Sequence, residues 1–350
     1  MGKAHSNAWC QVEHFFDVPY RIRRALIVGR DEERLEKMAQ RWGWESVSTD
    51  WHSAVDRSDI DAVDIGLPNH LHAPVSLAAA AAGKIILCEK PMATSLADAE
   101  AMTAAAAKVP TAVWYNYRRV PAVGFARQLI AEGRLGTTIY HYRAAYLNQS
   151  GADPSRAGAW RMDPALAGTG ATGDLLSHLI DTAQWLNGEI GEVCATDRTF
   201  FPGRQVDDAV LTLAAFRNGS AGTFEATRFA IGCRNRSRFE LHGSGGMLQF
   251  DMDNMNYLGF LDAADAASVQ AVRNVMVTGP GHPWVDHFWR PGHAIGYEHT
   301  FIAALSDFLS ALARGERFHP DFADALQTER VLEAVGRSAA ERQWVRVPAG

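Results

Sequence analysis

Cysteine is scarce in this 350-residue chain: Cys10, Cys88, Cys194 and Cys233 are the only four, and they lie far apart. So few and so scattered, they exclude a disulfide scaffold and a cysteine-ligated metal site, and they read as buried, reduced thiols of a cytoplasmic protein. Long apolar runs are missing too. The longest, Ala73 to Ala82, is alanine-rich and too short to span a bilayer, and the opening Met1-Gly2-Lys3-Ala4-His5 has no apolar signal-peptide core, so no membrane anchor is expected. Basic residues are not in excess. A net charge of −6 leaves no electropositive footprint for nucleic acid or anionic lipid. There is no internal repeat and no low-complexity linker.

What is present is ample material for two cores, with 47% hydrophobic and 21% charged residues. From Arg23 to about Asn116, short apolar strands alternate with helical stretches, the pattern of a parallel sheet covered by helices. The strands are Ala25 to Gly29, Ala62 to Gly66, Ile85 to Cys88 and Ala112 to Tyr115. Asp31 is placed to cap a helix running to Trp42, and further helices cover Ala73 to Ala82 and Ser95 to Lys108. After Gly136 long alternating segments take over (Thr137 to Leu147, Ala209 to Phe216, Thr223 to Phe229, Arg238 to His242), joined by turn formers such as Asn218-Gly219. That is antiparallel sheet, with helices at Asp174 to Leu186, Glu298 to Arg314 and Asp324 to Arg342. The fold class expected is α/β: a Rossmann-type domain over residues 1–118 and an α+β domain with a large open sheet over 119–350, whose last helices pack back on the first domain.

Four segments carry chemistry. Gly2, Lys3 and Ala4 open a helix whose free N–H groups suit a pyrophosphate, although a complete glycine-rich turn is lacking. Pro68-Asn69-His70-Leu71-His72 follows a strand, where ligands of open α/β sheets bind; Asn69 is a ligand group there or a helix cap. Glu89-Lys90-Pro91 ends another strand and places an ammonium in the same crevice, or merely on the surface. Gly173-Asp174-Leu175-Leu176-Ser177-His178 is the most pointed. A helical spacing of four sets Asp174 and His178 on one face, a carboxylate beside an imidazole that can take a hydroxyl proton. No third ligand has metal-site spacing, so no metal is expected.

Taken in order, Pro68-Asn69, Glu89-Lys90-Pro91, Asn116-Tyr117-Arg118-Arg119 and Gly173-Asp174 to His178 resemble the glucose-fructose oxidoreductase / inositol dehydrogenase (Gfo/Idh/MocA) family, from Met1 nearly to the end of the chain. The resemblance implies an NAD(P)-dependent oxidoreductase that transfers a hydride between nicotinamide and a secondary hydroxyl or ketone of a sugar, sugar derivative or cyclitol. It makes Lys90, Asp174 and His178 catalytic. It assigns Gly2, Lys3, Ala4, Arg30, Pro68, Asn69, His72, Glu89, Lys90 and Arg161 to the cofactor. For the substrate it offers Lys90, Arg118, Asp174, His178 and His293, the last from a late cluster with His282, Trp284, His287 and Trp289. It further implies a homodimer or homotetramer formed through the second domain's sheet.

Two departures from the family pattern bear on the cofactor. The chain opens at what would be the fifth position of the glycine fingerprint, so the first Rossmann strand is expected to be missing. Where an acidic residue would bind the ribose of NAD stands Gly29-Arg30-Asp31, which leaves NAD and NADP both open: Arg30 suits a 2′-phosphate and Asp31 a ribose. Alternatives to a dehydrogenase are redox-assisted glycoside cleavage on the same fold and a sugar-binding homologue with weakened catalysis.

Overall fold

The computed structural model describes residues 1–156 and 158–350. The chain opens with α1 (Gly2–Phe15), then β1 (Ile27–Val28), α2 (Glu32–Trp42), β2 (Val47–Ser48), α3 (His52–Asp56) and β3 (Ala62–Ile65). These are followed by α4 (His72–Ala81), β4 (Ile85–Cys88), α5 (Leu96–Ala105) and β5 (Thr111–Val113). Asp31 does cap α2, accepting from the Arg34 backbone N–H at 3.1 Å. All strand pairs here are parallel, but they form two separate sheets, β1 with β2 and β3 with β4 and β5. The first strand is shorter than its apolar run, because only Ile27 and Val28 find ladder partners.

Next come α6 (Pro121–Ala131), β6 (Ile139–Leu147), α7 (Pro164–Ala167), a π-helical turn (Thr172–Leu176), α8 (Ser177–Asn187), and the strands β7 (Ile190–Arg198), β8 (Ala209–Phe216), β9 (Ala221–Thr227), β10 (Arg236–Gly243), β11 (Gly246–Asp251), β12 (Tyr257–Asp262) and β13 (Arg273–Met276). The chain ends with α9 (Tyr297–Arg314), α10 (Phe322–Glu341) and β14 (Val345–Arg346). Nine strands make one sheet in the order β13-β12-β11-β10-β6-β9-β8-β7-β14. It is antiparallel except at its centre, where β6 and β9 run parallel. One face is apolar, with Tyr142, Phe224, Phe239 and Leu241 meeting Leu175, Leu179 and Ile180 of the helical segment in a single core.

Contacts divide the chain into two units. One comprises Met1–Ala93, Ala97–Asn116 and Gly296–Leu326, and the other Thr94–Leu96, Tyr117–Ile295 and Gln327–Gly350. The four cysteines are free thiols, yet only Cys88 is buried, the other three being half-buried. Among the described residues no helix is long and apolar enough to cross a membrane.

Candidate active site

In the first unit the carboxyl ends of β3 and β4 meet the first turns of α1. A Cβ built on Gly66 would lie 3.7 Å from the His5 ring and 3.8 Å from the Gly2 nitrogen, so any side chain there would fill the space before the helix N-terminus. Met1, the N-cap residue, makes no side-chain cap hydrogen bond. His5, 4% exposed, sits between two carboxylates: Nδ1 donates to Asp64 Oδ1 at 3.0 Å and Nε2 to Glu89 Oε1 at 2.9 Å. Two indoles complete the shell, Trp9 Nε1 donating to Asp64 Oδ2 at 2.7 Å and Trp114 Nε1 to Asp64 Oδ1 at 2.9 Å. Only an imidazolium donates from both nitrogens, and the surroundings agree. Burial by itself would lower the His5 pKa, but the Asp64 charge and the hydrogen bonds to both carboxylates raise it to about 9. Burial likewise works against the charges of Asp64 and Glu89, and the imidazolium beside them still holds both below the ordinary carboxylate range.

Glu89 also accepts, at Oε2, from the Lys90 backbone N–H at 3.1 Å. The half-buried Lys90 is therefore built on a backbone fixed by its neighbour. Asn69 is buried in a single 3-10 turn, Asn69–Leu71. The structure gives His72 a bracing position. It is fully buried, with Nδ1 2.9 Å from the Pro91 carbonyl and Nε2 3.0 Å from that of Leu67, so it ties together the loops that carry Pro68 and Lys90. Burial, the main influence, pushes its pKa down.

In the second unit the segment that carries Asp174 and His178 begins at an unusual cap. Asp207 accepts from the backbone N–H groups of Gly170 and Thr172, both at 2.7 Å, and from the Thr172 hydroxyl at 2.9 Å. A Cβ on Gly170 would fall 1.8 Å from the Asp207 carbonyl oxygen, so only glycine fits. The turn that follows is π rather than α, and the sequence expectation of one continuous α-helix is corrected there. With i→i+5 bonding across Thr172–Leu176, the α-helical register between Asp174 and His178 is broken.

Each of the two groups instead has a distant support. Arg228, 2% exposed, donates from Nη2 to Asp174 Oδ2 at 2.9 Å, and Arg161, stacked on Trp160, approaches the same oxygen at 4.0 Å. The His178 ring, 5% exposed, stacks on Tyr117 with centroids 4.2 Å apart and planes at 16°. The hydroxyls of Tyr117 and Tyr146 are 2.8 Å apart, and Tyr146 donates to Asn235 Oδ1 at 2.7 Å. A polar aromatic wall thus lies beside the His178 imidazole.

The remaining candidates are placed less centrally. Arg118 is buried, and its Nε and Nη2 donate to Asp181 at 2.8 and 2.6 Å, which makes it a support of this unit's core. His293 is exposed, with Nδ1 2.9 Å from the Arg290 carbonyl in its own loop. Arg30 is exposed just beyond β1, and Gly2, Lys3 and Ala4 form the first turn of α1. His5, Asp64, Tyr146 and Arg228 carry structure at these sites without having been singled out in the sequence, and Tyr117 was noted only as part of a family motif. A signal existed for Asp64, a charge in the middle of an apolar strand, which demands a buried partner.

Comparison with known proteins identifies the family. The model of an oxidoreductase family with an NAD-binding Rossmann fold matches residues 1–117, and that of the GFO/IDH/MocA C-terminal domain matches residues 124–249. The chain belongs to the Gfo/Idh/MocA family of oxidoreductases, as its motifs implied. It is 39% identical over 375 residues to levoglucosan dehydrogenase of Pseudarthrobacter phenanthrenivorans, an alignment covering 99% of this chain and 96% of that protein. Its structure is similar to that of an oxidoreductase domain protein from Kribbella flavida, with a TM-score of 0.96 and 44% identity over 100% of this chain and 96% of the other. It is equally similar to levoglucosan dehydrogenase in complex with NADH and levoglucosan, with a TM-score of 0.97 and 40% identity over 99% and 96% of the two chains.

Proposed function

We propose that this protein is an NAD-dependent dehydrogenase that oxidises a secondary hydroxyl of a sugar, with levoglucosan as its substrate. The observation that carries the reading is His178, buried against Tyr117, with the Arg228-anchored Asp174 four residues before it, on a chain that resembles levoglucosan dehydrogenase over almost its whole length. The first unit fits a dinucleotide: the N-terminus of α1 faces side-chain-free Gly66, which leaves room for a pyrophosphate against the helix N–H groups. Bound NAD supplies the hydride acceptor.

The protein's own groups do the rest. His178 takes the hydroxyl proton at a ring nitrogen, its orientation fixed by the Tyr117 stack. Lys90 stabilises the oxygen as negative charge develops on it. Asp174, held in place by Arg228, accepts from a second sugar hydroxyl, and Tyr117 and Tyr146 supply further polar contacts. Pro68, Asn69 and Glu89 line the nicotinamide half of the cofactor, and Arg161 reaches toward cofactor or substrate. NAD is preferred to NADP on the strength of the NADH held by the similar structure. Following reduced-nicotinamide absorbance with levoglucosan and each cofactor tests this: kcat/KM should favour NAD about tenfold or more, the size of one lost charge-assisted contact. A preference for NADP would return Arg30 to the 2′-phosphate. Four free thiols suit a reducing, cytoplasmic setting.

The same reading includes self-association of two copies through the outer face of the nine-stranded sheet. Leu211 and Leu213, each 51% exposed, lie there among Arg143, Arg238, Glu225 and Glu240. Charges of both signs around an apolar centre are self-complementary under a two-fold axis. In sedimentation velocity the protein is expected to run as a dimer or tetramer and the Leu211→Glu/Leu213→Glu variant as a monomer. Identical sedimentation of the two would place the interface elsewhere.

A further inference from the structure

Buried charge at the carboxyl ends of β3 and β4 has a consequence for the redox form of the cofactor. Asp64 and Glu89 flank His5 at hydrogen-bond distance; Trp9 and Trp114 donate to Asp64, and Trp114 and Phe301 pack against the His5 ring. Glu89 follows the last residue of β4, at the edge of a parallel sheet where ligands of open α/β folds bind. Oxidised and reduced nicotinamide rings differ by one positive charge. A fixed net charge in that crevice therefore discriminates between them, and in a buried setting it does so with little screening.

We propose that His5 is a positioning and charge-setting residue, which offsets one of the two carboxylates and so sets the relative affinity of this site for oxidised and reduced dinucleotide. The inference rests on the dehydrogenase reading above. Lys90, another cation that acts on Glu89, is untouched by the substitutions that test it. With His5 in place the cluster holds two carboxylates and one imidazolium. A neutral side chain at this position removes the imidazolium and makes the cluster one unit more negative, which favours the cationic oxidised ring. Removing the Glu89 charge acts in the opposite direction.

Calorimetric titration of NAD and NADH into the wild-type protein, His5→Gln and Glu89→Gln measures the effect without relying on turnover. The ratio Kd(NADH)/Kd(NAD) is expected to rise about tenfold in His5→Gln, the scale of a unit charge at an intermediate effective dielectric, and to fall in Glu89→Gln. A purely structural role for His5 would weaken both forms alike, and an unchanged ratio in the two variants overturns the proposal. Should His5→Gln fail to fold, as a thermal melt would show, the direction of the shift in Glu89→Gln decides alone. Failure of the wild-type protein to bind either form would instead overturn the dehydrogenase reading beneath it.

Discussion

Replacing His178 by alanine is expected to lower kcat by about a hundredfold or more, the low end of what a general base contributes, while the affinity for NAD stays within about twofold. The expectation follows from where the ring is held. Tyr117 covers one face at 4.2 Å, and its hydroxyl is tied to Tyr146, so the imidazole is presented in a single orientation. His178→Gln fills much of the same space and keeps hydrogen-bonding capacity without a titrating nitrogen, so it should lose as much activity as alanine. Lys90→Ala should show a comparable loss in kcat, because its ammonium acts on charge present mainly in the transition state. Near-normal kcat in both His178 variants would remove the ring from proton transfer, whatever their KM.

The second large effect is expected at Arg228. Its guanidinium is 2% exposed and is committed to Asp174, with weaker approaches to the Arg161 carbonyl at 3.4 Å and the Met162 sulfur at 3.8 Å. Arg228→Met keeps most of the apolar stem and deletes the charge. Asp174, whose side chain is 26% exposed, then loses its donor at 2.9 Å, and Arg161 stands farther off, at 4.0 Å. Breaking a buried pair in this way costs about 3 kcal/mol, toward the low end because Asp174 is partly solvated. A fall in Tm of roughly 5 °C or more should follow. The pairing itself is isolated by a double-mutant cycle: Asp174→Asn should cost less in the Arg228→Met background than in the wild type, and strict additivity would show that the two do not support one another. Activity adds an independent readout, since kcat/KM for the sugar should fall in both single variants.

These supports explain why the sequence was only partly legible. Glu89-Lys90-Pro91 could be placed because the strand before it, β4, is a continuous apolar run, and the structure starts and ends β4 at Ile85 and Cys88 as the pattern did. Asp31 was recognisable because a cap acts three residues away. His5 was not, since its two partners lie 59 and 84 residues downstream and nothing local marks a histidine that will be clamped between carboxylates. The π turn escaped for the same reason. It is anchored by Asp207, more than thirty residues beyond Thr172, whereas helical periodicity reports only the near neighbours. In the second unit the alternating strands β8 and β10 were plain. Short edge strands such as β13, with four residues mostly exposed, carry too little alternation to be seen. Arg118 and His72 show the converse difficulty: their partners, Asp181 and two backbone carbonyls, are invisible to local sequence pattern.

Direct transfer of hydrogen from sugar to nicotinamide is the centre of the account, and levoglucosan labelled with deuterium on its ring carbinol carbons tests it most directly. Incubated with the purified protein and NAD, it should give reduced cofactor that carries deuterium on the nicotinamide ring, in amounts matching the ketone formed, and His178→Ala should give at least about a hundredfold less in the same time. Ketone formed without label in the cofactor, or labelled levoglucosan left unchanged by a folded protein that binds NAD, would contradict it.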